Sequence, residues 1–404
     1  MTMPQTLPPS LPLTGIRVLD LTQIYNGPYA TFLMAMAGAE VIKIEPQDGE
    51  YLRRRDASSG AGMPFAMLNA CKESISLNLK TDKGREIFLQ LAETADVVAE
   101  NFAPGTMDRL GIGWEALSAR NPGLILASSS GYGQDGPYRD MMAMDITVQA
   151  MSGLMSVTGT PDGPPLKTGA AVCDFGGGIH LYGAIMTALY DRTRSGRGAR
   201  IDISMMESVY MMMASNMGML FGDRRGEIPL RTGNNHGGLS LCPYSVYATR
   251  DGHVAIICNS DRHWAALARC MDRADLVEDP RTRHNRDRVA HMAMVDGLIA
   301  EFTGRHDTDD LAGLLRAAKV PSAPVRPLPE VMADPALHER GFLQRVDHPD
   351  FGAISLPRSP LRMGGAAQAD YRASPPLARD NARIYGELGL DGATLDDLRQ
   401  KGVI

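Results

Sequence analysis

The chain has 404 residues, of which 44% are hydrophobic and 22% charged, and its formal net charge is −6. The length predicts two domains, and the composition is typical of a globular protein in water. A net negative chain does not favour a nucleic-acid or anionic-membrane surface, so we expect neither partner.

The 5 cysteines form no CxxC pair, which argues against a disulfide framework or a structural zinc site. A reduced, cytoplasmic setting fits this usage. Residues 1–14 are rich in proline and do not resemble a signal peptide. The most apolar stretch, 201–221, is interrupted by Glu207, Ser208 and Asn216, so we predict a buried, methionine-rich helix there.

Strands alternate with helices in the first part of the chain, which predicts βαβ units and a mostly parallel sheet. The predicted strands are 15–21, 40–45, 74–79, 96–100 and 124–128. The predicted helices are 27–38, where Pro28 suits a first-turn position, 81–94, 114–119 and 179–190.

The run 224–229 predicts a domain boundary. After it we predict strands at 243–249, 253–258 and 320–325 and helices at 262–270, 292–302 and 308–318. The predicted fold class is therefore α/β: a large Rossmann-like domain over 1–224, a smaller α+β domain over 225–325, and a C-terminal wrapping segment over 326–404.

Loops at the carboxyl ends of parallel strands are where such sheets bind ligands. Three of these loops carry glycine or proline: the ones at Tyr25-Asn26, at Asn101-Phe102 and at 131–137. The last contains GxGxxG, but it follows a late strand and Pro137 comes directly after it, so it does not favour a dinucleotide site. Walker, HExxH and GxSxG motifs are missing from the sequence.

Asp174 is followed by three glycines at 176–178 and lies between a connection or short strand at 167–172 and the helix at 179–190. Glycine allows a ligand or backbone to come close to such a carboxylate. A helix N-cap is the alternative role. Asp145 and Glu45 are the other candidate carboxylates, and an aspartate can attack an activated acyl group.

Several spaced motifs resemble the class III CoA-transferases, the family of the formyl-CoA:oxalate and carnitine CoA-transferases. They are GIRVLDL at 15–21, GAEVIKIE at 38–45, ENF at 100–102, GYGQDGPY at 131–138 and QAMSG at 149–153. The resemblance runs from Gly15 to the C-terminus.

The resemblance implies that Asp174 is the nucleophile and forms first an aspartyl anhydride and then an aspartyl-CoA thioester. It implies succinyl-CoA or a similar short acyl-CoA as the donor and a small carboxylate or dicarboxylate as the acceptor. No permanently bound cofactor and no metal are expected, and the family fold implies an interlocked homodimer.

The resemblance also implies the site residues. Those expected to hold the nucleotide part of CoA are Asn101, Phe102 and Arg109, with Arg53 and Arg54 as further phosphate candidates. Those expected near the substrate are Asp145, Tyr25, Asn26, His236, Gly237 and Gly238, the last three in a loop that resembles the family's lid.

Three positions depart from the pattern. Tyr25 stands where the formyl-CoA transferases carry glutamine, and Met142 where they carry lysine, which argues against oxalate as the acceptor. The related α-methylacyl-CoA racemases carry a histidine where this chain has Met144, and methionine cannot exchange a proton. A racemase and a non-catalytic acyl-CoA-binding protein are the alternative functions.

Overall fold

The computed structural model describes residues 11–55, 60, 62–221, 229–364 and 367–404. The chain forms two compact units. The first comprises the described residues up to Val148 together with Ala170–Val209 and Asp334–Ile404. The second comprises Gln149–Gly169 and the described residues of Tyr210–Ala333.

These units do not follow the predicted domain limits throughout. The predicted boundary at residues 224 and 225 lies outside the described residues. Residues 149–169 and 210–221, which the sequence analysis assigned to the large domain, belong to the second unit. The C-terminal segment from Asp334 belongs to the first unit.

Eleven strands are present in the described part of the chain. They are β1 (Arg17–Asp20), β2 (Glu40–Glu45), β3 (Glu73–Ser76), β4 (Val97–Glu100), β5 (Ile125–Ser130), β6 (Ala199–Ser204), β7 (Tyr244–Ala248), β8 (His253–Ile257), β9 (Ser322–Pro324), β10 (Leu343–His348) and β11 (Gly352–Pro357).

The helices of the described residues follow in chain order. They are α1 (Asn26–Met36), α2 (Met63–Leu68), α3 (Asp82–Ala92), α4 (Thr106–Arg109), α5 (Trp114–Arg120), α6 (Asp145–Met151), α7 (Val172–Ser195), α8 (Met205–Tyr210), α9 (Ala214–Gly218), α10 (Asp261–Cys270), α11 (Asn285–Ala290), α12 (Met292–Thr303), α13 (Thr308–Ala317), α14 (Leu328–Met332), α15 (Pro335–Glu339), α16 (Asn381–Gly386) and α17 (Gly392–Gln400). Short 3-10 helices occur at Leu154–Val157, Met211–Met213 and Ala274–Val277.

The first unit contains a six-stranded, fully parallel sheet with the strand order β3-β2-β1-β4-β5-β6. Val18 of β1 pairs with Val41 on one side and with Val97 on the other. The strand order therefore reverses between β1 and β4, which places the switch point of the sheet, the crevice region, at the carboxyl ends of these two strands. This is where open α/β sheets bind ligands.

Both faces of the sheet are buried, which is typical of parallel sheets. Leu19 packs with Ile87 of α3 on one face, and Val18 packs with Leu33 of α1 and Leu181 of α7 on the other. Each such fully buried aliphatic side chain contributes about 1.5–3 kcal/mol of stability. The predicted α/β class and parallel sheet are confirmed.

The first unit also contains the antiparallel hairpin β10-β11. The second unit is built on an antiparallel sheet in the order β7-β8-β9, with a core around Trp264. No helix among the described residues is both long enough and apolar enough to cross a membrane.

The single buried helix predicted at 201–221 is wrong. The chain there forms the end of β6, then α8, a 3-10 turn and α9. β6 completes the sheet beside β5, because sheet pairing outweighs the helix propensity of methionine. Met211 and Phe221 are 71% and 87% exposed, so this segment is also not buried throughout.

Candidate active site

The loops that follow β1 and β4 are joined by one asparagine. The Asn101 side chain accepts a hydrogen bond from the Gln23 amide at 2.8 Å and donates one to the Gln23 carbonyl at 2.8 Å. This pair fixes the β1–α1 loop at the crevice. The next residue, Ile24, has a φ of 67°, a strained value for a β-branched side chain.

Helix α1 begins directly after this loop, at Asn26, and packs its first turn against the start of α7. Asn26 is 2% exposed, and its Nδ2 donates to the main-chain carbonyl of Asp174 at 3.2 Å. A Cβ on Gly177 would lie 2.2 Å from that Nδ2, and one on Gly178 would lie 2.5 Å from the Asn26 carbonyl oxygen. The glycines after Asp174 therefore allow two helices to meet.

Asp174 lies in the first turn of α7, which begins at Val172 and not at the predicted residue 179. The three glycines are helical and the N-cap position is Ala171, so the expected glycine-rich junction and the N-cap role of Asp174 are both wrong. The contact with α1 stabilises this glycine-rich turn, since glycine alone favours no helix.

Asp145 caps α7 from another part of the chain. Its Oδ1 accepts hydrogen bonds from the amides of Cys173 at 2.9 Å and Asp174 at 3.2 Å. These are two of the amides that a helix start leaves without intrahelical partners. The Ala171 side chain cannot supply this cap, so Asp145 both orders the first turn and places a second carboxylate beside Asp174.

The environment of Asp174 disfavours its charged form. Burial, and then the charge of Asp145, raise the pKa of Asp174 to about 7. A carboxyl group with so perturbed a pKa in a crevice is a candidate catalytic group. Its oxygen is more basic than that of an ordinary carboxylate, and it still ionises near neutral pH.

Aromatic rings pack between the start of α1 and the turn that carries Asp174. The Phe175 ring stacks on the Tyr25 ring at 6.0 Å between centroids and meets the Tyr29 ring edge-on at 5.0 Å. The expected substrate residue Tyr25 therefore lies beside the turn that carries Asp174.

A buried charged pair under α1 was missed by the sequence analysis. Lys72 and Asp20 are almost fully buried, and their Nζ and Oδ2 atoms are 2.8 Å apart. Lys72 Nζ also donates to Thr31 Oγ1 at 2.8 Å, to Asn69 Oδ1 at 2.9 Å and to the Pro28 carbonyl at 3.2 Å. Burial opposes ionisation of Asp20, but Lys72 holds its pKa well below the usual range.

This pair fixes the first turn of α1 to the end of β1, and so it supports the position of Asn26. Burial lowers the pKa of Lys72 to about 8. The sequence signal for this pair is Asp20, an acid that ends the apolar strand β1, together with Lys72 directly before strand β3.

The expected CoA-binding residues after β4 lie on one loop and on α4. Asn101 uses its side chain to hold Gln23, and the Phe102 amide donates to Glu100 Oε2 at 2.8 Å. Arg109 is exposed and donates to Thr106 Oγ1 at 2.7 Å and to the Pro104 carbonyl at 3.3 Å. Both acceptors are neutral, so the guanidinium charge of Arg109 can still meet a phosphate.

Arg53 and Arg54 have acidic partners. Arg53 forms two hydrogen bonds of 2.8 Å with the Glu45 carboxylate and lies over the Phe65 ring. Arg54 pairs with Asp48 on the surface. Glu45 is almost fully buried in this pair, so of the three candidate carboxylates it is the one already neutralised by an arginine.

The expected lid residues belong to the second unit. His236 Nδ1 accepts from the Gly238 amide at 3.1 Å, and its ring meets Tyr244 edge-on. A Cβ on Gly237 would lie 2.8 Å from Asn216 Nδ2, so the loop packs closely on α9. His236, Gly237 and Gly238 therefore form one compact turn.

Comparison with known proteins identifies this class of fold and site. The model of CoA-transferase family III matches residues 13–381. The formyl-CoA:oxalate CoA-transferase of Streptomyces avermitilis is 36% identical over 97% of this chain and 99% of its own. The succinyl-CoA:mesaconate CoA-transferase of Haloarcula marismortui is also 36% identical, over 95% of this chain and 98% of its own.

The solved structures agree. A CAIB/BAIF family protein from Brucella suis has a TM-score of 0.81 and 33% identity, covering 94% of this chain and 100% of its own. The chain therefore belongs to CoA-transferase family III and is a CoA-transferase, which confirms the resemblance read from its motifs.

Proposed function

We propose that Asp174 is the covalent nucleophile of this CoA-transferase. The observation that carries the proposal is its place in the first turn of α7, half-buried, with Asp145 on the adjacent amides and a pKa of about 7. A basic but ionisable carboxylate, partly shielded from water, is suited to attack on a thioester.

The overall reaction exchanges one CoA thioester for another, so little net energy has to be supplied. The Asp174 carboxylate attacks the donor carbonyl and expels CoA thiolate, which gives a mixed anhydride. The thiolate attacks the aspartyl carbonyl and releases the donor acid, which leaves an aspartyl-CoA thioester. The acceptor carboxylate attacks that thioester, expels CoA thiolate and forms a second mixed anhydride. The thiolate finally attacks the acceptor carbonyl of this anhydride, which gives the acceptor CoA thioester and restores the Asp174 carboxylate.

The proposed donor is succinyl-CoA or a similar short acyl-CoA, and the proposed acceptor is a small carboxylate or dicarboxylate. The relatives named for oxalate and mesaconate support this acceptor class. In the proposal, Asn101, Phe102 and Arg109 hold the nucleotide part of CoA, with Arg53 and Arg54 as secondary phosphate contacts. Tyr25, Asn26, Asp145, His236, Gly237 and Gly238 bound the substrate. CoA thioesters are substrates, and no resident cofactor takes part.

The proposal includes a homodimer in the cytoplasm. The dimer is proposed from the resemblance to the family, and the apolar side chain of Met142, which is 94% exposed, is compatible with it. Free thiols at all 5 cysteines support a reducing compartment. Light scattering should give twice the 43.6 kDa of one chain; a mass of one chain would contradict the dimer.

Covalent trapping tests the nucleophile. After incubation with succinyl-CoA and hydroxylamine, peptide mapping should place a hydroxamate on Asp174. Asp174→Asn, which keeps the side-chain volume, should bind CoA and give neither adduct nor transfer. A transfer-competent Asp174→Asn enzyme would refute the assignment.

Assays on the same wild-type protein distinguish the transferase from the two alternative functions, a racemase and an acyl-CoA-binding protein. Deuterium incorporation next to the carbonyl of a 2-methylacyl-CoA, with no adduct, would indicate a racemase. CoA binding with neither adduct nor exchange would indicate a binding protein.

A further inference from the structure

Asn26 has one hydrogen-bonding atom that the fold leaves unused. Its Nδ2 donates to the Asp174 carbonyl at 3.2 Å, whereas its Oδ1 is buried and has no partner among the described residues. Exchanging the positions of Oδ1 and Nδ2 would not satisfy the side chain, because Oδ1 would then face the Asp174 carbonyl oxygen, which is also an acceptor. A buried acceptor without a donor is costly, so such an atom beside the Asp174 turn indicates a donor that arrives with the substrate.

The chemistry of the two substrates identifies which one supplies the donor. An ionised carboxylic acid offers only acceptor oxygens. The arm of CoA carries an amide N–H two carbons from the sulfur. The sulfur is the atom that must reach the Asp174 carboxyl group. Asn26 is bonded to Asp174 itself, so its side chain is at a suitable place to meet that amide.

We propose that Asn26 Oδ1 accepts a hydrogen bond from the CoA amide next to the sulfur and so aligns the sulfur with the Asp174 carboxyl group. The proposal rests on the proposed function of Asp174. Asn26 is held rigidly for this task, because Gly177 and Gly178 pack against it. One planar side chain thereby joins the backbone of the nucleophile to the arm of the substrate.

Two truncated donors isolate this hydrogen bond. One is the succinyl thioester of N-acetylcysteamine, which keeps the amide N–H. The other replaces that N–H by CH2 and leaves the neighbouring carbonyl in place. The wild-type enzyme should show a kcat/KM about tenfold higher for the amide donor, because the CH2 analogue leaves Oδ1 unpaired. Asn26→Leu removes the acceptor and should bring the ratio of the two donors to about one.

Asn26→Asp is the matched variant, since it keeps an oxygen acceptor and should keep a preference for the amide donor. A merely structural role of Asn26 would lower both rates and leave the ratio unchanged, which would overturn the proposal. If Asn26→Leu does not fold, the wild-type ratio alone decides, and equal rates with both donors overturn it. Failure of the wild-type enzyme to form an Asp174 adduct from succinyl-CoA would instead refute the proposed function.

Discussion

Gly178→Ala should separate the two helices that form the site. The new Cβ would lie 2.5 Å from the main-chain oxygen of Asn26 and 3.4 Å from Tyr29 Cβ. The first contact is with backbone, so α7 has to shift by about 1 Å, and overpacking of this kind costs about 1–3 kcal/mol. A misplacement of about 1 Å at a reacting group lowers the rate by about 100-fold.

Gly183→Ala on the same helix is the control, because a Cβ there meets nothing within 4 Å and the residue is exposed. Both substitutions gain the same helix propensity, about 1 kcal/mol, so their difference isolates the clash. Urea unfolding should show Gly178→Ala less stable than Gly183→Ala by about 1–3 kcal/mol. Succinyl-CoA transfer should fall only in Gly178→Ala. Equal stability and equal activity of the two variants would refute the close packing of α1 on α7.

Two further predictions concern charge. Because the proposed nucleophile is the anionic form of Asp174 and its pKa is about 7, kcat/KM should fall as the pH drops through about 7. Asp145→Asn removes the neighbouring charge but keeps the acceptor for the two amides, so the fall should move to lower pH; an unmoved profile would contradict the coupling. Lys72→Met leaves the Asp20 carboxylate buried and unpaired and should cost about 3–5 kcal/mol in urea unfolding. The double variant Asp20→Asn/Lys72→Met should recover part of that loss, and a double variant no more stable than Lys72→Met would count against the pairing.

The parallel sheet could be predicted because its signals are local. The sequence predicts strand β2 with its observed bounds, and α1 with its start within one residue and its end within two, since apolar runs, Pro28 and Gly38 mark these elements. The start of α7 could not be predicted, because its helical glycines depend on contacts with Asn26 and its cap comes from Asp145. Sequence propensity contains neither of these long-range terms.

The same reasoning explains why Asp174 stands out in the sequence and its surroundings do not. Asp174 is marked by the glycines beside it, but Lys72 acts on the site only through Asp20 and the first turn of α1. Such support is visible only once distant residues are brought together by the fold.

Strain at Ile24 shows how the β1–α1 loop holds Asn26 against the Asp174 turn. A β-branched residue at a φ of 67° costs about 1–3 kcal/mol, and such strain persists only where neighbouring contacts enforce it. Here Asn101 holds Gln23 on one side, and Glu50 Oε2 accepts from the Ile24 amide at 3.2 Å. The strained turn places Asn26 Nδ2 within hydrogen-bond distance of the Asp174 carbonyl oxygen. Asn101 enforces this turn and is also a proposed CoA-binding residue. Substitution of Asn101 by alanine should therefore lower kcat, because Asn26 is displaced, and raise the KM for CoA thioesters, because a CoA contact is lost. A residue that only binds the nucleotide would change KM alone, so a fall in kcat together with a rise in KM would distinguish Asn101 from such a residue.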